Sequence, residues 1–232
     1  MADRISDLPD NLLSLILSFL PITQVFTTIS LLSKRWTPLC YSLPVLNLDD
    51  ETFKDYGTFD RLCRFSDNLM LSPRYTTNRP LKMFCINCWS GSLNLRRIIN
   101  ERLGSWPETA LQCGVEEFHL FLYYHTLNPI ILVSRTLVVL KLDTLHIASD
   151  TSCVDLPSLK TLHLKYVHFG NPNDYNIFLS ACPNLEDSHV EPIYALSEVN
   201  RNENNVPEEG LSSLTLFKLV RASISSNDQW YR

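Results

Sequence analysis

The sequence predicts a mixed α/β chain: a short helical unit at the N-terminus, then a solenoid of stacked parallel strands. Two observations carry this. Between Leu8 and Leu39 apolar residues recur at helical spacing and are interrupted by prolines. From Leu43 onward a short leucine pattern alternates apolar and polar residues and keeps returning along the chain. Composition agrees with a folded chain of one to two domains, at roughly 150 residues per domain. It has 232 residues, 45% of them hydrophobic and 19% charged.

Charge and cysteine usage exclude some classes. The net charge is −5, from 20 basic and 25 acidic residues, so no basic excess points to nucleic acid or an anionic membrane surface. Six glycines are few for glycine-rich phosphate loops. The seven cysteines (40, 63, 85, 88, 113, 153 and 182) are odd in number and scattered, which reads as reduced thiols in a nuclear or cytoplasmic protein.

The first element is a helix after Pro9. A proline fits the opening of a helix, and Asp10 complements the helix dipole there. Leu12, Leu13, Ile16, Leu17 and Leu20 form the apolar stripe, and Leu15 and Phe19 widen it. Such a helix is buried on both sides or shared with a partner. Pro21 ends it. A second helix holds Val25, Phe26 and Ile29, and a third starts near Ser30 and carries Leu31, Leu32, Trp36 and Leu39. The run from Asn11 to Ser33 has no charged residue, but Pro21 and its many polar residues argue against a membrane span.

A helical unit of about 40 residues is marginal alone and needs the rest of the chain or another protein. The sequence Ile5-Ser6-Asp7-Leu8-Pro9-Asp10-Asn11-Leu12-Leu13, then Ile16-Leu17-Ser18-Phe19-Leu20-Pro21, then Leu32-Ser33-Lys34-Arg35-Trp36 resembles an F-box. Leu43 to Asp50, Cys88-Trp89-Ser90-Gly91 and Cys182-Pro183-Asn184-Leu185 extend the likeness to plant F-box/leucine-rich-repeat proteins, many of which end in an FBD region. This resemblance implies a non-catalytic substrate receptor of an SCF ubiquitin ligase, with no cofactor. It docks a Skp-type adaptor, which joins it to a cullin and a RING subunit, and captures a target protein of unknown identity. The resemblance assigns adaptor binding to Leu8, Pro9, Leu12, Leu13, Ile16, Leu17, Leu20, Lys34 and Trp36. It also implies domains at residues 1–42 (F-box) and 43–232 (repeats), the latter short of an FBD region.

The repeats stand without that likeness. Copies of Leu-x-x-Leu-x-Leu, allowing other apolar residues, begin at Val115, Leu137 and Leu159, at intervals of 22. Copies at Leu185 and Leu211 follow at intervals of 26, and weaker ones start at Leu43 and Leu81. Pro157 and Pro183 precede their copies at the same offset. This is the leucine-rich-repeat pattern, in which each strand points its fourth and sixth positions into a shared core. The fold expected is therefore a three-helix F-box followed by a horseshoe-like solenoid. Outward positions place His119, Lys141, His163 and His189 in one column, with Lys165 beside it. These five are the candidate target-binding residues, against the plainer alternative of a solvated face. Helices are expected near Asp60 to Leu71, Leu93 to Leu103 and Asp174 to Ala181, and a final strand at Ser213, Thr215 and Phe217.

No nucleotide-binding loop, zincin motif or nucleophile elbow is present. Cys85-x-x-Cys88 is the one close thiol pair, and a single pair is a poor zinc site. No catalytic or metal site is assigned. The alternative function is a leucine-rich-repeat binding module with no ligase role.

Overall fold

In the computed structural model, residues 5, 7–20, 22–27, 35–40, 43–49, 56–70, 81–88, 105–171, 173–191, 194–195 and 221–224 are described. The chain divides into two compact units, Met1–Val115 and Glu116–Arg232.

The first unit opens with three short helices: α1 (Asp10–Ser18), α2 (Ile22–Thr27) and α3 (Trp36–Cys40). Pro9 caps α1 from an extended conformation, at ψ 149°, just outside the helix. Leu13 and Leu17 of α1, Val25 of α2 and Trp36 and Leu39 of α3 are buried. Strands β1 (Val45–Asp49) and β2 (Met83–Cys88) pair in parallel, with Leu46 and Leu48 opposite Phe84 and Ile86. All four are buried, as their places in the two weaker copies of the pattern require. Helix α4 (Tyr56–Met70) covers the expected helix near Asp60, and α5 (Trp106–Gln112) was not foreseen. The Trp106 indole N–H joins α5 to α4 by donating to Asp67 Oδ1 at 2.8 Å. The expected helix at residues 93–103 lies outside the described residues.

The second unit is a parallel ladder. Its main path runs through β3 (Glu117–Leu127), β4 (Val139–Ile147), β5 (Thr161–Lys165), β7 (Asp187–Val190) and β9 (Arg221–Ile224). Strands β4, β5 and β7 enter in the same way. One carbonyl of the preceding repeat accepts two successive N–H groups: Glu116 O from Val138 and Val139, Val138 O from Lys160 and Thr161, Lys160 O from Glu186 and Asp187. Pro44 O accepts from Lys82 and Met83 likewise, so β1 and β2 use the same device. Inward residues Phe118, Leu140 and Leu162 share one row, and Leu120, Leu142, Leu164 and Val190 the next. All are buried, each worth roughly 1.5–3 kcal/mol of apolar burial. Ser188 takes the inward place opposite Leu162 and is buried too.

A second, shorter ladder follows a bend. Residues 125–127 of β3 pair with 145–147 of β4, then β6 (His168–Phe169) pairs with β4, and β8 (Tyr194–Ala195) with β6. The bend in β4 is made at Thr144, and the equivalent residue after β5 is Tyr166; both are left-handed, with φ of 51° and 49°. Neither is glycine, so each position carries a backbone cost, roughly 1–2 kcal/mol. In β3 a register shift between Phe121 and His125 replaces this turn.

On the connecting side, α6 (Asp174–Ser180) buries Tyr175, Phe178 and Leu179. The side chain after each landmark residue ties neighbouring repeats: Ser158 Oγ donates to Arg135 O, and Asn184 Nδ2 to Pro157 O, both at 2.6 Å. The last strand differs from expectation. Arg221, not residue 213, stands opposite Asp187, so the final repeat is longer than the pattern predicts; residues 213–217 lie outside the described residues. No helix among the described residues is long and apolar enough to cross a membrane.

Candidate functional site

Two surfaces carry the residues singled out in the sequence. The first is α1. Leu13 and Leu17 are fully buried, which leaves Leu12, Leu15, Ile16 and Phe19 on the outer side, Phe19 78% exposed. Four large apolar side chains within eight residues form an outward face that the unit itself does not cover. Pro9 is exposed, and Leu8 and Leu20 are half-buried. Trp36 is buried in the unit's own core, and Lys34 lies outside the described residues. Leu15 and Phe19 are the exposed members that the stripe of leucines hid. A helix apolar all round cannot be divided into inner and outer faces until its neighbours are placed. Arg35 anchors the helix start, with Nη2 2.9 Å from Asp10 Oδ1 and 2.6 Å from Leu8 O.

The second surface is the outward side of the strand ladder. The structure brings His119, Lys141, His163 and His189 into register across β3, β4, β5 and β7. Lys165 lies in the neighbouring row, opposite Asp143. Rings of His163 and His189 stand 5.6 Å apart. Carboxylates line the margins: Glu117 Oε2 is 3.8 Å from His119 Nε2, Glu191 Oε1 is 3.6 Å from His189 Nε2, and Glu191 Oε2 is 3.7 Å from Lys165 Nζ. Burial holds His119 below the usual histidine range; Lys141 and His163 push the same way, and Glu117 opposes them. His163 is lowered by burial, then by Lys141 and His189, against Asp187. Burial raises Asp143, against the Thr144 hydroxyl bonded to it at 2.7 Å and against Lys165. His119 Nε2 is buried with no hydrogen-bond partner among the described residues.

The sequence reading missed a second histidine pairing. His146 and His168 face each other across β4 and β6, with ring centroids 4.6 Å apart. The signal was present as a further interval of 22, but it lies beyond the leucine pattern.

Cysteine chemistry finds no support in the geometry. Cys85 and Cys88 fall on opposite faces of β2, since side chains alternate along a strand. Burial pushes the Cys40 thiol up to about 11 and Cys182 to about 12, so neither is a ready nucleophile. Among the described residues, no group of three or more His, Cys, Asp or Glu could hold a metal ion.

Comparison with known proteins adds the following. An F-box domain family model matches residues 5–47, and a Leucine Rich Repeat model matches residues 158–183. An F-box/LRR-repeat protein of Arabidopsis thaliana is 36% identical over 200 residues, 80% of this chain and 49% of the relative. An F-box/FBD/LRR-repeat protein of the same plant is 32% identical over 237 residues, 99% of this chain and 47% of the relative. An FBD-associated F-box protein, also from Arabidopsis thaliana, is 32% identical over 209 residues, 86% of this chain and 48% of the relative. The chain thus spans about half the length of these curated relatives. No solved structure matches it. The F-box match over α1 to β1, the repeat match over β5 and α6, and the kinship along almost the whole chain agree: the chain belongs to the F-box/leucine-rich-repeat proteins of plants.

Proposed function

We propose that the chain is a non-catalytic substrate-recognition subunit of an SCF-type ubiquitin ligase. The carrying observation is the uncovered apolar face of α1 within the matched F-box segment. Leu12, Leu15, Ile16 and Phe19, with Pro9 at the helix start, form the surface offered to a Skp-type adaptor. Leu13, Leu17 and Trp36 hold the helices together beneath it, and Leu8 and Leu20 border it. Lys34 belongs to the same docking segment. The adaptor then links the chain to a cullin and a RING subunit.

The strand ladder supplies the target-binding side. Its in-register outward rows give a continuous surface, as stacked repeats do when they bind other proteins. The finer architecture proposed is a three-helix F-box at residues 1–42 and a horseshoe-like solenoid at 43–232. A nuclear or cytoplasmic location belongs to the same proposal, in keeping with seven free cysteines.

Co-expression with a plant Skp-type adaptor, followed by size-exclusion chromatography, tests this reading. A stable one-to-one complex is the expected result. A folded, soluble chain that elutes apart from the adaptor would leave only a repeat-type binding module.

A further inference from the structure

Lys141 occupies the middle of the outward column, between His119 on β3 and His163 on β5. Neighbouring strands lie about 4.8 Å apart, so both imidazoles are its immediate neighbours. The other described lysines of this unit are matched: Lys165 by Glu191 at 3.7 Å, Lys160 by Glu186 at 2.9 Å. Lys141 has no carboxylate within 4.0 Å among the described residues.

Every strand packed against the column contributes charge. β3 offers Glu117, β4 Asp143, β5 Lys165, β7 Asp187 and Glu191, and β9 Arg221, which stands opposite Asp187. The carboxylates stay at the margins. Glu117 and Glu191 lie beside imidazoles, and Asp143 accepts the Thr144 hydroxyl. From β3 to β7 the middle row is His119, Lys141, His163 and His189, each cationic or able to become so, and Ser223 of β9 continues it in register with His189. Burial first, and then the like charge of Lys141, lower the pKa of both flanking imidazoles and so disfavour their protonated forms. An anion seated above Lys141 reverses that balance, because it favours the protonated form of each ring.

We propose that Lys141, His119 and His163 form a receptor for an anionic side chain of the target protein, acidic or phosphorylated, and that its capture draws protons onto the two imidazoles. This deepens the reading of the ladder as the target-binding side and rests on it. His119 Nε2 makes no hydrogen bond among the described residues, with the Glu117 carboxylate 3.8 Å away, so protonation leaves this ring with donor capacity to turn toward an anion.

The test uses the intact chain and two probes: hexaglutamate, and an otherwise uncharged hexapeptide with one phosphoserine. Histidine ring signals are followed by NMR during pH titration with and without each probe, and affinities are measured by calorimetry near pH 7.5 and pH 6.0. The expected result is an upward shift of the His119 and His163 titrations, with affinity at the lower pH stronger by about tenfold. Lys141→Met is expected to remove binding, and Lys160→Met, outside the column, to retain it. Binding of one probe alone tells a carboxylate receptor from a phosphate receptor. If neither probe moves either histidine, or affinity is equal at both pH values, the proposal fails, and the titration of the unaltered chain decides this even if Lys141→Met does not fold. Adaptor binding is measured on the same sample. A complex that forms without peptide binding overturns the anion receptor alone; peptide binding without a complex overturns the ligase reading alone.

Discussion

Arg35 grips the first turn of α1 from 25 residues away, reaching the Asp10 carboxylate and the Leu8 carbonyl with the same guanidinium nitrogen. Both side chains of the ion pair are well exposed, so its Coulombic part is worth at most about 1 kcal/mol. The carbonyl contact gives it direction: it fixes where the chain enters the helix. Asp10→Asn is expected to change the urea midpoint little. Arg35→Ala, which loses both contacts, is expected to cost about 1 kcal/mol. A loss of several kcal/mol from Asp10→Asn would show that the pair is not the weak surface contact its exposure implies.

The two faces of α1 should respond differently to substitution. Phe19→Ser with Ile16→Ser is expected to leave thermal stability nearly unchanged and to abolish co-elution with a Skp-type adaptor. Leu17→Ala removes a fully buried side chain and is expected to cost about 2–5 kcal/mol. Equal stability losses for both would mean that the outer face is covered by the chain itself.

Gly170 is fixed by crowding. A Cβ there would lie 2.7 Å from the Ser149 backbone nitrogen and still closer to Ser149 Oγ. Gly170→Ala is therefore expected to destabilise by about 1–3 kcal/mol. Adding Ser149→Ala removes only the hydroxyl, so it should give partial relief in urea denaturation. Complete rescue would place the clash in the side chain alone.

Acid should weaken the fold as pH falls through the ordinary histidine value. His119, His125, His146, His163 and His168 are all held below the usual value of 6.5, each chiefly by burial. A native pKa below the unfolded one means that the unfolded chain binds more protons as pH falls through 6.5. The stabilising effect is complete above that value and declines below it. The urea midpoint is expected to be lower at pH 5.5 than at pH 7.5, and a lone His125→Phe substitution to reduce the difference. A midpoint that rose on acidification would contradict the burial of these rings.

The inter-repeat ties offer a matched pair. Ser158→Ala and Asn184→Ala each remove one side-chain hydrogen bond to the preceding repeat, and each is expected to cost about 0.5–1.5 kcal/mol. Additivity in the double variant would be measured by calorimetry. A coupling above about 0.5 kcal/mol would mean that the two ties act as one unit.

The repeat register was legible because it rests on two short-range rules, alternation within a strand and a fixed interval between strands. His119, Lys141, His163 and His189 fall into one row on those rules alone. The second ladder was not legible. It begins after Thr144 and Tyr166, where a non-glycine residue adopts a left-handed conformation that composition does not announce. The strand expected at 213–217 lies outside the described residues, and β9 follows β7 at an interval that the leucine pattern does not announce. Helix α1 was located but not oriented: Leu12 and Leu13 are equivalent in a list of leucines, and only tertiary packing separates exposed from buried.

Strands of the second unit open at Glu117, Val139, Thr161, Asp187 and Arg221, at intervals of 22, 22, 26 and 34 residues, yet the rows they present stay aligned. The interval between strands varies while the backbone register from strand to strand is kept. Such a chain can gain or lose loop residues through insertion and deletion without scrambling its recognition surface, while single substitutions at outward positions rewrite that surface without touching the core. Indels and point changes thus act on separate properties of the molecule, an arrangement under which specificity can diversify faster than the fold.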